Sequence, residues 1–144
     1  MKANTAGKKP AQPKTRTDTI ALGKLVNASA AIESHAAERV SIKLSLKMFR
    51  LRKAAEHSIE FYREKMREIL AQYGQKTERG EQKYDEKGNA LIDSTKIEDC
   101  RTAIRELERC EVEKPSICFE VDELEEIKLS MNDIAVLEDF IAKE

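Results

Sequence analysis

The feature that most constrains this chain is a long, mostly apolar series spaced three and four residues apart, with no glycine or proline to break it. Leu44, Met48, Leu51, Ala55, Ser58, Tyr62, Met66, Ile69 and Tyr73 fit one helical stripe. A competing alternation, Val40, Ile42, Leu44 and Leu46, fits a strand for only four steps. Nine positions outweigh four, so the spacing predicts a single helix over residues 41–73. At a rise of 1.5 Å per residue it is about 50 Å long. Ser41 has the chemistry to cap its start, and Gly74 is expected to end it as a left-handed cap. A body of this size has a radius of gyration of about 14 Å, so such a rod overhangs its own domain.

The rest of the chain is read around that rod. Residues 1–16 carry one apolar side chain larger than alanine and are expected to form a disordered basic arm. Leu22, Leu25, Val26, Ser29, Ile32 and Ala36 predict a first helix over about 18–36, capped by Thr17 or Asp18. The short break before Ser41 makes the two helices an antiparallel hairpin. Residues 74–90 read as a polar loop with weak hairpin character around Tyr84 to Ile92. Thr95 and Glu98 match a capping box opening a third helix over about 96–110, with Ile97, Cys100, Ile104 and Leu107 on its stripe. Val112 and the alternating Ile117, Phe119 and Val121 predict a short two-stranded β element around Lys114-Pro115-Ser116. Asp122 to Ile127 reads as a turn or a single helical turn. Ser130 and Asp133 cap a last helix over about 131–142. No repeat appears at periods of 20 to 50 residues. The expected fold is mainly α: residues 17–144 form one helical domain with a minor β element.

Charge is placed unevenly although the net charge is −1. Residues 1–17 hold five cations and no acid, whereas residues 111–144 hold eleven acids against three lysines. Between them Lys43, Lys47, Arg50, Arg52 and Lys53 form a basic cluster with no intervening acid. Two readings stand. The cluster either meets the acidic end or faces water, or it offers a phosphate-binding face, the basis of an alternative nucleic-acid-binding role. A near-neutral total weighs against the second. Cys100, Cys110 and Cys118 form no CxxC pair, and His35 and His57 lie far from them, so no structural zinc or other metal site is expected. Three unpaired cysteines suit a reducing compartment. There is no membrane-spanning apolar run and no secretory h-region at the start.

Catalytic motifs are also missing from the pattern. The sequence has no phosphate-cradling glycine loop, no GxSxG elbow and no HExxH. Glu60 and Glu64 share a helix face, but no Glu-x-x-His partner completes a di-iron set. No catalytic residue and no cofactor is therefore expected. The working surface is expected on the long helix. Met48, Leu51, Tyr62, Met66, Ile69 and Tyr73 form either core or protein interface there, with core the stronger reading. Helix one can cover only half the rod, so the stripe from Tyr62 to Tyr73 must be covered by C-terminal elements or by another chain, which includes a homo-oligomer.

The order of features carries a resemblance. It runs from Leu22-Gly23-Lys24-Leu25-Val26-Asn27-Ala28 to a break and the basic helix Val40-Ser41-Ile42-Lys43-Leu44-Ser45-Leu46-Lys47. It continues through Phe61-Tyr62-Arg63-Glu64-Lys65 to Tyr73, an Asp-x-x-Gly-Asn turn at Asp85 to Asn89, and the β segments at Glu111 to Glu113 and Ile117 to Val121. It closes on Leu137-x-x-Phe140-Ile141. Over about residues 19–142 this resembles a family of short, uncharacterised phage and prophage proteins of low-GC Gram-positive bacteria. The basic arm and Ser41, where such proteins often carry proline, are departures. The resemblance implies a viral origin, a small helical α+β fold and no catalytic residues to carry over. Together with the helix surface it suggests a non-enzymatic accessory protein of the host cytoplasm or the virion. That protein would contact a host or phage partner, as an assembly factor or as an inhibitor of host defence.

Overall fold

The computed structural model describes residues 18–143; the predicted basic arm at 1–16 and the cap at Thr17 lie outside them. The described chain is mainly helical, with one two-stranded antiparallel sheet. Strand β1 spans Thr19–Ala21 and helix α1 spans Leu22–Ser34. Helix α2 spans Ile42–Tyr73 and is continuous over 32 residues. Helix α3 is Ile97–Glu108, strand β2 is Glu111–Glu113, α4 is Val121–Leu124 and α5 is Met131–Leu137.

The rod is covered in series by two shorter helices. α1 and the C-terminal elements cover its first half, where Leu44, Met48, Leu51 and Ala55 join Leu25, Ala28, Ile32, Phe119, Leu137 and Phe140 in one core. α3 covers the second half. The two meet at a close crossing: a Cβ on Gly23 of α1 would come within 3.0 Å of the Glu108 Cβ of α3. There the Tyr62 hydroxyl faces the Glu108 carboxylate at 3.4 Å.

Several predicted boundaries change, each for a reason of hydrogen bonding. The start of the first predicted helix is extended. Thr19, Ile20 and Ala21 pair with Glu113, Val112 and Glu111, which buries Ile20 in the core. The first amide of α1, Leu22 N–H, then donates to the Cys110 carbonyl at 2.7 Å, so a strand neighbour does the work of a cap. β2 thus finds its partner at the start of the domain and not in residues 117–121. Phe119 instead exchanges two bonds with the chain end, donating to Phe140 O (2.7 Å) and accepting from Ala142 N–H (2.8 Å). That pairing stops the last helix at Leu137, followed by a 3-10 turn at Glu138–Phe140.

Ser41 caps α2 as expected, accepting from Leu44 N–H at 3.2 Å. Gly74 does not adopt the left-handed cap, since its φ is −79°. Its glycine is required by crowding, because a Cβ would stand 2.6 Å from the Leu70 carbonyl oxygen. Lys76 closes the helix end by donating its ammonium to the Ala71 and Gly74 carbonyls. The Thr95–Glu98 box is not formed. A 3-10 turn at Ser94–Lys96 precedes α3, Asp93 caps it by accepting from Thr95 N–H at 2.9 Å, and Glu98 pairs with Arg101 instead.

The predicted loop after α2 holds an ordered motif with an eight-residue period. Gln75 N–H donates to Leu91 O, Leu91 N–H to Lys83 O, and Lys83 N–H to Gln75 O, at 2.8 to 2.9 Å, so three segments close a ring. At each corner a side-chain oxygen accepts from the backbone two residues on: Thr77 from Arg79, Asp85 from Lys87, Asp93 from Thr95. Gly80 and Gly88 hold the first two turns at φ +85°. The third corner has no glycine and runs on into α3.

Candidate interaction surface

α2 has two apolar faces in its first half. Leu44, Met48, Leu51 and Ala55 point into the core and are buried. Ile42, Leu46 and Phe49, spaced i, i+4 and i+7, fall within a sector of about 60° on the opposite side at 100° per residue. They are 84%, 41% and 58% exposed. A helix with one buried and one exposed apolar stripe presents surface that its own fold does not use.

Of the predicted site residues, Met48 and Leu51 are core. Tyr62, Met66, Ile69 and Tyr73 are half-buried on the stretch that α3 covers, so the chain itself shelters most of that stripe. Burial and the nearby Glu108 carboxylate push the Tyr62 hydroxyl pKa up. The exposed stripe has helical spacing but only three members, so the nine-residue stripe outweighed it. Ile42 and Leu46 belong to the short alternation that loses to the longer one. What could have found them is that an apolar residue lying off a helix's buried stripe has no core role.

The basic cluster is largely paired. Lys47 lies 2.7 Å from Glu123 and also donates to the Cys118 carbonyl at 2.7 Å. Lys43 reaches the same carboxylate at 3.7 Å. Arg52 meets Glu33 at 2.7 Å across α1 and α2, and Lys53 meets Glu56 at 3.6 Å. Arg50 is exposed. The acidic end thus faces the basic stretch through Glu123. Ser41 adds to that junction by donating its N–H (2.7 Å) and its hydroxyl (2.9 Å) to Glu126.

A second apolar area lies on the C-terminal elements. Val121, Leu124, Ile127, Leu129, Ile134 and Ile141 line an open groove of about 350 Å³, with Glu125 on its edge. Val121 and Ile134 are about half exposed, and Met131 nearby is almost fully exposed.

Titratable groups converge at one further place. His35, buried at the end of α1, has Nδ1 against the Glu38 carboxylate and Nε2 at 3.1 Å from Asp133 at the start of α5. Glu38 first and Asp133 second raise the imidazole pKa, while His35 holds the Asp133 carboxyl below its ordinary value. The junction joins two helices, and its Glu38 also lines a small pocket of about 90 Å³ with Ile32, Val40 and Met48. Among the described residues no group of three His, Cys, Asp or Glu side chains is placed to hold a metal ion. Cys100, Cys110 and Cys118 are free thiols, and burial pushes the Cys100 thiol pKa up. No described helix is long and apolar enough to cross a membrane.

Compared with known protein families, curated proteins and solved structures, the chain matches none.

Proposed function

We propose that this chain is a non-enzymatic phage accessory protein that works by docking the N-terminal half of α2 onto a host or phage protein. The observation that carries the reading is the outward stripe of Ile42, Leu46 and Phe49 set within a segment of five cations and no acid. Large apolar side chains held in water at helical spacing fit a helix-in-groove contact. Arg50, exposed beside the stripe and without an ion pair among the described residues, favours a partner surface with acidic character. The phage setting comes from the resemblance in the order and spacing of sequence features. Apolar groups at the centre of the face favour a protein over a phosphate backbone, and four of the five cations already face carboxylates.

The test places a photo-crosslinking residue at position 46 or 49 of the full chain in infected cells and identifies the captured protein. It then asks whether Ile42→Glu and Phe49→Glu abolish both the crosslink and the phage phenotype. A virion protein on the crosslink, with the chain present in purified particles, supports assembly. A host effector, with rescue of phage growth on a defended strain, supports inhibition of defence. Unaltered phage growth with both variants, in either setting, overturns the reading. Nucleic acid captured at low salt, with a steep loss on adding salt, would transfer the role to Lys43, Lys47, Arg50, Arg52 and Lys53.

A further inference from the structure

One chain carries two exposed apolar areas of opposite charge. Around Ile42, Leu46 and Phe49, residues 43–53 hold Lys43, Lys47, Arg50, Arg52 and Lys53 and no acid. Beside the groove of Val121, Leu129 and Ile134, residues 120–126 hold Glu120, Asp122, Glu123, Glu125 and Glu126 and no cation. Of the five cations, Lys43 and Lys47 meet Glu123, Arg52 meets Glu33 and Lys53 meets Glu56, so Arg50 carries the unpaired positive charge of that face, while on the acidic side Glu123 is taken up by lysine and Glu126 by Ser41. Asp122 and Glu125 on one side and Arg50 on the other are exposed and make no ion pair among the described residues.

We infer that the α2 face of one copy docks into the C-terminal groove of a second copy, so that the protein forms a two-fold homodimer. The inference rests on the reading of the α2 face as a docking surface and names its first partner. Three observations select this occupant. The stripe is convex, three side chains on one helix, and the groove is a concave apolar surface of about 350 Å³. Their rims are opposite in sign, so approach is favoured in this pairing, whereas α2 face on α2 face would set cation against cation. The two areas sit on adjoining elements, fastened by Lys47–Glu123 and Ser41–Glu126. A two-fold axis therefore lets each face of one copy meet the complementary face of the other, and every contact is made twice. The same pairing would hold the apolar stripe out of water until a foreign acidic partner displaces it.

The experiment is light scattering with size exclusion on the full chain across a concentration series, with two variants. Leu46→Glu puts an acid against the acidic groove, and Ile134→Lys puts a cation against the basic face. Wild type is expected at twice the 16.4 kDa chain mass. Each variant alone is expected to weaken the dimer by at least about tenfold. An equimolar mixture of the two is expected to regain a two-chain species, because the intact groove of one meets the intact α2 face of the other. A wild type of one-chain mass at every concentration overturns the inference. So does a dimer that Leu46→Glu dissociates and Ile134→Lys leaves intact. Circular dichroism and melting check each fold, and Ile42→Glu with Val121→Lys replaces the pair if either variant melts early. Loss of the infected-cell phenotype in Leu46→Glu alongside a monomeric wild type defeats this inference alone. A dimer with an unaltered phenotype in Leu46→Glu defeats the functional reading alone.

Discussion

The carboxylate of Glu123 lies 2.7 Å from the ammonium of Lys47, and this pair fastens the acidic C-terminal segment to the long helix. Lys47 is the first cause holding the Glu123 carboxyl below its ordinary value; a hydrogen bond from the Glu120 amide comes next. A carboxyl with a lowered folded pKa contributes stability above its unfolded value and loses it as pH falls through the folded one. Glu123→Gln keeps the shape and removes the charge, leaving the mostly covered Lys47 ammonium with neutral acceptors only. We expect a loss of about 2 kcal/mol in urea unfolding at neutral pH, shrinking as pH is lowered below about 4. Glu56→Gln, which breaks the exposed pair with Lys53, is expected to cost less than about 0.5 kcal/mol.

The two faces of the fold predict opposite responses to the same truncation. Phe119 is fully buried at the junction of the 117–121 segment with Phe140 to Ala142, whereas Phe49 is more than half exposed. Phe119→Ala is expected to cost about 3 to 5 kcal/mol, with the cavity adding to the lost transfer energy. Phe49→Ala is expected to alter monomer stability by less than about 0.5 kcal/mol. Denaturant titration of both at low protein concentration checks this. A large loss at Phe49 would mean the exposed stripe supports the fold itself.

The ring after α2 makes a different prediction, because its three amides depend on one another. Gly74→Ala drives a Cβ toward the Leu70 carbonyl and should cost about 2 kcal/mol. Gly88 has open space around it but a φ of +85°, so Gly88→Ala should cost about 1 kcal/mol. Hydrogen exchange should accelerate together at the Gln75, Lys83 and Leu91 amides in Gly74→Ala. Acceleration confined to Gln75 would contradict a closed ring.

The stripe from Leu44 to Tyr73 is local information. Its period is set by one helix, so the rod, its Ser41 cap and the buried Met48 and Leu51 were all legible. β1 depends on a partner more than ninety residues away. Thr19 to Ala21 have no strand character beyond two β-branched residues, and the demand of Leu22 N–H for an acceptor appears only in three dimensions. The eight-residue ring was written in the sequence as Thr77, Asp85 and Asp93, each followed two residues later by its donor. Its third corner lacks the glycine, and that hid the repeat. The exposed stripe was obscured because Leu44 and Leu46 read as one alternation, when on a helix they point nearly opposite ways. The paired state of Lys43 and Lys47 needed the position of Glu123, which only the folded C-terminal segment supplies.

α1 is joined to α5 through His35 and Asp133. His35 presents both ring nitrogens to carboxylates, Glu38 at Nδ1 and Asp133 at Nε2, and both contacts are fully satisfied only by an imidazolium. Its folded pKa is raised, so its contribution is fully present below the unfolded value of about 6.5 and is lost as pH climbs through the folded pKa. Asp133 is held low by the same contact and by Ser130, so its contribution is present above about 3.9 and fades as pH falls through its folded value. The junction is therefore strongest between those limits. His35→Gln, which keeps hydrogen-bonding capacity and loses the charge, should lower stability by about 2 kcal/mol near pH 5.5. The difference from wild type should narrow steadily toward pH 9. Thermal melts of the two proteins across that range decide the matter. A gap that stays constant with pH would show that His35 acts there through packing and shape, with no contribution from its charge.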